Sequence, residues 1–467
     1  MRKVFAKGLL LGLATALLVT LQSCKKEEAA PANPNDYVNS WILENMKEAY
    51  YWTDKIPTSP NKTFPPEPFF ESLLNKSDDK FSWIQEYYQD LLNSLQGVSK
   101  EAGYEFALYY ADNNRVNVLA QVLYIKKQSP AEQAGLKRGD LIDQINGTQL
   151  TASNYQTLLQ QISSNHSITY RPYDYSSNTV GAAKTISLTT VEYAENPNFL
   201  DKVITVNNRK IGYYVYNLFS TGPTASSTQY NNEMDAVFDR FKAAGITDLV
   251  VDLRFNSGGA ETATVNLASL IGKGVDNTKV FAKRQYNATL TQQILNDPSL
   301  GASFLSTKFT NKSQNVGSLL RNNRVYILTG PRTASASELL INGLKPFMDV
   351  YLIGSTTFGK NVGSISIYQQ NDPKNTWGMQ PIVVKSFNSL DQSDYGNGFT
   401  PNQADADNGA QLPLGDTNER LLSLAISHIV ASGRIAAQTQ VFGELVGHSF
   451  EIKKRNSDLV VGSKILE

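Results

Sequence analysis

A serine hydroxyl becomes a nucleophile when a base stands beside it, and two segments of this chain offer such a pair. Ser335 lies in Thr333-Ala334-Ser335-Ala336-Ser337-Glu338, and Lys360 follows 25 positions later in Thr357-Phe358-Gly359-Lys360. The apolar run 324–329 reads as a strand that turns into a helix opening at Ser335, where free N–H groups and the helix dipole favour developing negative charge. The small Ala334 and Ala336 leave room for a substrate backbone. A second reading stays open, because Ser335 with Glu338 three residues on also fits a capping box. A lysine acts as a base when burial disfavours its charged form. Lys360 lies between the apolar run 350–353 and a β-like run carrying Ile365 and Ile367, which suits partial burial; a solvated loop lysine is the plainer alternative. The three histidines, His166, His428 and His448, stand in no recognisable catalytic context.

A third element is Asp252-Leu253-Arg254-Phe255-Asn256-Ser257-Gly258-Gly259, at the end of an apolar strand. Paired glycines bring backbone N–H groups close to a reacting carbonyl, as an oxyanion hole requires, although a plain strand-to-helix turn uses the same residues. Gly354–Asn361 satisfies most of a phosphate-binding loop. Asn361 replaces the hydroxyl that would hold magnesium, and a strand follows where a helix is needed, so nucleotide binding is discarded.

These segments need a scaffold. Over 202–430, apolar strands such as 211–219, 249–253 and 325–328 alternate with helical spacing such as Met234, Val237, Phe238 and Phe241, which predicts a largely parallel α/β sheet with its loops at the strand ends. Residues 36–96 carry helical periodicity, with Trp41, Ile42, Met46, Ala49 and Tyr50 on one face, and predict a small helical domain. Residues 98–193 change to short strands and turns. There Ser129-Pro130-Ala131-Glu132-Gln133-Ala134-Gly135-Leu136-Lys137-Arg138-Gly139-Asp140-Leu141-Ile142, then Ile145-Asn146-Gly147, reads as a short helix, a turn and a strand ending in an Asn-Gly hairpin. The succession resembles the PDZ domains of bacterial envelope proteases. The resemblance implies capture of an extended peptide by strand addition, with its carboxylate held at Gly103-Tyr104-Glu105-Phe106. Glu105 departs from the usual small or apolar residue there. Residues 441–467 are too mixed to assign.

At 467 residues, two or three domains are expected. Lysine plus arginine (43) equals aspartate plus glutamate (43) and no basic stripe appears, so nucleic acid is not an expected partner. No metal cluster and no cofactor motif is evident. Arg2, Lys3 and Lys7 precede an apolar run over 8–21, too short to span a bilayer as a helix, which predicts an export signal over 1–23. Leu21-Gln22-Ser23-Cys24 resembles a bacterial lipoprotein cleavage box, implying lipidation of Cys24, the sole cysteine, and a membrane-anchored place in the cell envelope. The polar, proline-bearing stretch 24–35 suits a tether. Its Lys25-Lys26-Glu27-Glu28 is similar to the export tags of Bacteroidetes lipoproteins.

Together, D-L-R-x-N-x-G-G, A-S-A-S-E and F-G-K, behind a PDZ segment, resemble the tail-specific or C-terminal processing proteases, over roughly 98–430. That resemblance implies a ClpP/crotonase-like α/β core, Ser335 as nucleophile and Lys360 as general base. It also implies an oxyanion hole of Gly258 or Gly259 with the Ala336 N–H, and protein substrates with unstructured C-terminal tails. Gly398-Phe399-Thr400-Pro401 resembles a further family segment. Many members place a glutamine four residues after the lysine; here Ser364 stands there, with a shorter reach toward Lys360. A non-catalytic tail-binding lipoprotein, or an acyl hydrolase on the same core, are the competing expectations.

Overall fold

The computed structural model describes residues 33–175, 177, 179–224, 226–409, 411–431 and 443–449. The expected export signal, Cys24, most of the tether and most of 441–467 lie outside the described residues.

The N-terminal segment forms α1 (Asp36–Ala49), α2 (Pro66–Leu73) and α3 (Tyr88–Leu95). The α1 face reads as its spacing predicts: Trp41, Ile42, Met46, Ala49 and the following Tyr50 are all buried. Burying each large apolar side chain contributes about 1.5–3 kcal/mol. The segment is not a detached helical unit. Its core runs into that of the α/β domain, and it supplies β1 (Trp83–Gln85), which pairs antiparallel with Gly378–Gln380.

The PDZ region forms β2 (Tyr104–Tyr110), β3 (Val118–Ile125), β4 (Leu141–Ile145), β5 (His166–Arg171) and β6 (Lys184–Leu188). Its short helix Pro130–Gln133 is capped by Ser129 and followed by left-handed Gly135; Asn146 and Gly147 both take positive φ, as an Asn-Gly hairpin turn requires.

The α/β domain contains β7 (Asn198–Val206), β8 (Arg209–Tyr216), β9 (Asp248–Asp252), β10 (Arg324–Thr329), β11 (Asp349–Gly354), β12 (Val362–Ser364) and β13 (Gln403–Ala404). One sheet runs β7-β8-β9-β10-β11-β13, antiparallel at the first pair and parallel thereafter. Both faces are covered, which explains why β9 and β10 read as continuous apolar runs. Leu249, Val251, Val325 and Ile327 share a core with α4 (Gln229–Ala244) and α5 (Ala336–Leu344). Val250, Tyr326 and Leu328 face α6 (Arg420–Val430). A last strand, β14 (Leu445–His448), returns to the PDZ sheet and pairs antiparallel with β2.

Candidate active site

The loops that follow β9, β10 and β11 converge at one end of the parallel sheet, where a doubly covered α/β fold leaves room for a ligand. The loop after β9 is anchored by buried charge. Arg254 binds Asp252 (2.8 Å), Asp407 (2.9 Å) and Glu419 (2.5 and 3.0 Å). Burial alone would raise the Glu419 carboxyl; Arg254 and then Arg138 hold it below its ordinary value.

Asn256, fully buried, joins this loop to the serine turn. Its Nδ2 donates to the Tyr216 carbonyl (2.9 Å), and its Oδ1 accepts the Gly258 N–H (2.8 Å). Its own carbonyl accepts Ala334 N–H (3.2 Å) and Ser337 Oγ (3.1 Å). Gly258 and Gly259 have φ of 117° and 127°, a region open to glycine alone. A methyl on Gly258 would lie 2.8 Å from Ser335 Cβ and 3.2 Å from Ala336 N, so the glycine pair abuts the serine directly. The Gly258 N–H is committed to Asn256 here, which shifts the oxyanion expectation toward Gly259 and Ala336.

Ser335 caps α5 with φ 57° and ψ −110°. A non-glycine residue in such a region costs on the order of 1–3 kcal/mol and persists only where its surroundings enforce it. Its hydroxyl is fully buried and makes no hydrogen bond among the described residues. A buried donor left unmatched costs about 1–3 kcal/mol more. Two local penalties thus fall on one side chain.

Glu338 is the hub of the site. Of the predicted capping box, its arm forms: the carboxylate accepts the Ser335 N–H at 2.9 Å. The same carboxylate reaches across to the loop after β11, accepting Thr357 Oγ1 (2.6 Å), Gly359 N–H (2.7 Å) and Lys360 N–H (2.8 Å). Burial pushes its pKa up, and these four donors oppose that shift. Sequence reasoning took Glu338 for a cap alone; no local signal marks its reach to residues about twenty positions away.

Lys360 is buried, as expected, and its Nζ lies 4.9 Å from the centre of the Phe81 ring. Phe81 comes from the N-terminal segment and was not foreseen. The Gly398-Phe399 segment backs this turn, with Phe399 N–H donating to Thr357 Oγ1 at 2.7 Å. Ser364 is buried at the end of β12, opposite Ile382. The structure therefore brings Ser335, Ala336, Gly258, Gly259 and the Lys360 backbone together. It forms no hydrogen bond between the Ser335 hydroxyl and Lys360.

The expected peptide loop lies apart, on the PDZ. The Gly103 carbonyl accepts Lys126 N–H (2.9 Å) and Ser129 Oγ (3.2 Å), and the Tyr104 hydroxyl meets His166 Nε2 at 2.9 Å. Glu105 is buried 3.5 Å from Lys126, which also pairs with Glu101 and Glu195 at 2.8 Å. No group of metal-binding side chains occurs among the described residues, and no described helix is long and apolar enough to cross a membrane.

Against this geometry, the sequence profile of peptidase family S41 matches residues 210–402, that of the S41 N-terminal domain residues 37–83, and that of a PDZ domain residues 121–171. The chain belongs to peptidase family S41. A crystal structure described as an S41 protease from Bacteroides fragilis superposes with a TM-score of 0.68 at 26% identity, covering 84% of this chain and 98% of that one. The carboxyl-terminal-processing protease of Picosynechococcus sp. is 25% identical over 292 residues, 62% of each chain. A CtpA-like serine protease of Staphylococcus saprophyticus is 20% identical over 296 residues, 62% of this chain and 51% of its own. The chain thus spans about half to three fifths of the length of these curated relatives. S41 membership carries the multidomain α/β fold with its PDZ and N-terminal helical parts.

Proposed function

We propose that this S41 member is a serine endopeptidase in which Ser335 and Lys360 do the chemistry. The carrying observation is Ser335 itself: a strained backbone and an unmatched buried hydroxyl at a helix N-terminus, against a glycine pair, with its main chain tied to that of Lys360. Ser335 Oγ attacks the scissile carbonyl carbon and Lys360 Nζ takes the hydroxyl proton. The Gly259 and Ala336 N–H groups face the oxyanion; collapse expels the amine, which receives the proton from Lys360. Water then attacks the acyl-serine, gives a proton to Lys360, and releases the carboxylate product while Ser335 regains its own. Ser364 is the proposed acceptor that orients the Lys360 amine.

The test is cleavage of unstructured polypeptides by the purified protein, read by mass spectrometry. Ser335→Ala and Lys360→Ala are each expected to lose turnover by about 10³-fold or more. Cleavage retained by either variant removes that residue's role. The PDZ is the proposed holder of substrate tails. Tail binding without turnover is the second reading, favoured by Ser364, whose side chain is shorter than the glutamine many members place there. Stoichiometric phosphonylation of Ser335 by a fluorophosphonate, with loss of fluoride, decides against it.

We further propose that the protein is an exported lipoprotein anchored through Cys24 at the cell envelope. The basic head, apolar run and cysteine support this. Incorporation of labelled palmitate into the wild type and not into Cys24→Ala tests it.

A further inference from the structure

A PDZ domain takes an extended peptide as an added strand along one edge and catches its terminal carboxylate with loop N–H groups. In this protein that edge, β2, is already paired. β14 runs antiparallel to it with His448 opposite Ala107, Gly447 opposite Leu108 and Leu445 opposite Tyr109. Tyr110 N–H donates to the Glu444 carbonyl at 3.1 Å. One residue past the strand, Ser449 Oγ accepts the Phe106 N–H (3.0 Å) and donates to the Glu105 carboxylate (2.6 Å). Ser449 and Glu105 are both buried.

This chemistry differs from carboxylate capture. The loop donor at Phe106 serves a hydroxyl, and Glu105 sets an acceptor-only carboxylate where an arriving carboxylate would be repelled. Lys126 does not relieve that repulsion, because Glu101, Glu195 and Glu105 surround its ammonium. A serine hydroxyl accepts from one neighbour and donates to the other, so it satisfies both partners at once.

We propose that the β2 edge binds internal extended segments bearing a hydroxyl residue at the Glu105 position, not chain-terminal carboxylates, and that this chain's own segment 444–449 is its resident ligand in cis. The inference deepens the tail-holding part of the proposed function: a substrate segment gains the edge by displacing β14. It is independent of the chemistry at Ser335.

The test uses the full chain carrying Ser335→Ala, so that nothing is cleaved, alone and with Ser449→Asp or Ser449→Ala. Ser449→Asp sets a second carboxylate against Glu105; Ser449→Ala strands both partners. The probe is a fluorescent Gly-Glu-Leu-Val-Gly-His-Ser peptide, made as a C-terminal amide and as a free acid, with binding followed by anisotropy. Amide exchange at 107–109 is followed in parallel. Expected are faster exchange at 107–109 in both variants, binding of the amide at least about tenfold tighter than by the parent, and weaker binding of the free acid. Equal exchange and equal peptide binding in parent and variants, or preference for the free acid, overturns the proposal. Loss of the peptidase reading would show in the cleavage assay and leave this result standing.

Discussion

Ser335 and Lys360 donate their backbone N–H groups to the same oxygen, Oε2 of Glu338, at 2.9 and 2.8 Å. One carboxylate thereby fixes the separation of the two segments that carry the proposed chemistry. Glu338→Gln retains the volume and replaces an acceptor by an NH₂ group facing donors. Hydrogen bonds to charged groups contribute about 1.5–3 kcal/mol each, so the variant is expected to lose roughly 3 kcal/mol in denaturant melts. Its kcat/KM is expected to fall about 10²-fold, since misplacement by an ångström has that effect. Wild-type turnover in a folded Glu338→Gln protein would refute the coupling.

Gly258→Ala probes the other wall. The added methyl would meet Ser335 Cβ at 2.8 Å on a backbone with φ 117°. The strain predicts a loss of about 1–3 kcal/mol in stability and of about 10²-fold or more in kcat/KM. Differential scanning calorimetry beside a peptide assay reads both.

Phe81 covers Lys360 from a segment the α/β domain does not contain. Phe81→Ala opens that cover to water, while Phe81→Leu keeps an apolar lid without the aromatic face. The alanine variant is expected to lose about tenfold in kcat with little change in KM, and leucine to recover part of it. A purely structural role would instead lower Tm equally in both variants and leave kcat unchanged.

The pairing of β14 on β2 carries its own pH dependence. Burial first, and Arg332 second, bring the His448 imidazolium down to about 4. Detached, it titrates near 6.5, so the detached state binds more protons between those values. The histidine's contribution to pairing is therefore fully present above about pH 6.5 and is lost as pH falls toward 4. Arg254, Arg332, Asp407 and Glu444 line the same cavity. Asp407, raised to about 6 by burial against the pull of Arg254, titrates in the opposite sense and favours the folded form as pH falls. His448→Gln isolates the histidine: amide protection factors at 107–109 are expected to drop with acidity in the parent and to flatten in the variant.

Much of this arrangement could be read from the chain. Gly135 and Asn146-Gly147 ended their elements where turn chemistry predicted, because each takes a positive φ that few other residues tolerate. The α1 face and the two-sided burial of β9 followed from apolar spacing. What escaped was non-local. Glu338 obeys a local capping rule and also bonds a loop from another strand, and only the second role is specific to this fold. Phe81 sits on Lys360 across 279 positions, and Ser449 meets Glu105 across 344, with no periodicity to betray either. Phe106 N–H likewise meets Ser449 across 343 positions, a partner that the loop's own sequence does not show.

The PDZ is also bolted to the α/β domain. Arg138 donates to the Leu412 carbonyl at 2.8 Å and to Glu419 at 3.2 Å, and Glu419 is gripped in turn by Arg254 beside the glycine loop. Stripping one ion from such a buried set leaves the others uncompensated, at about 3–5 kcal/mol, so swinging the two bodies apart is expensive. The module then behaves as a jig rather than an arm: its edge is held at a constant offset from the loop that carries Arg254, and on the proposed function the lengths of released fragments would carry the imprint of that fixed measure.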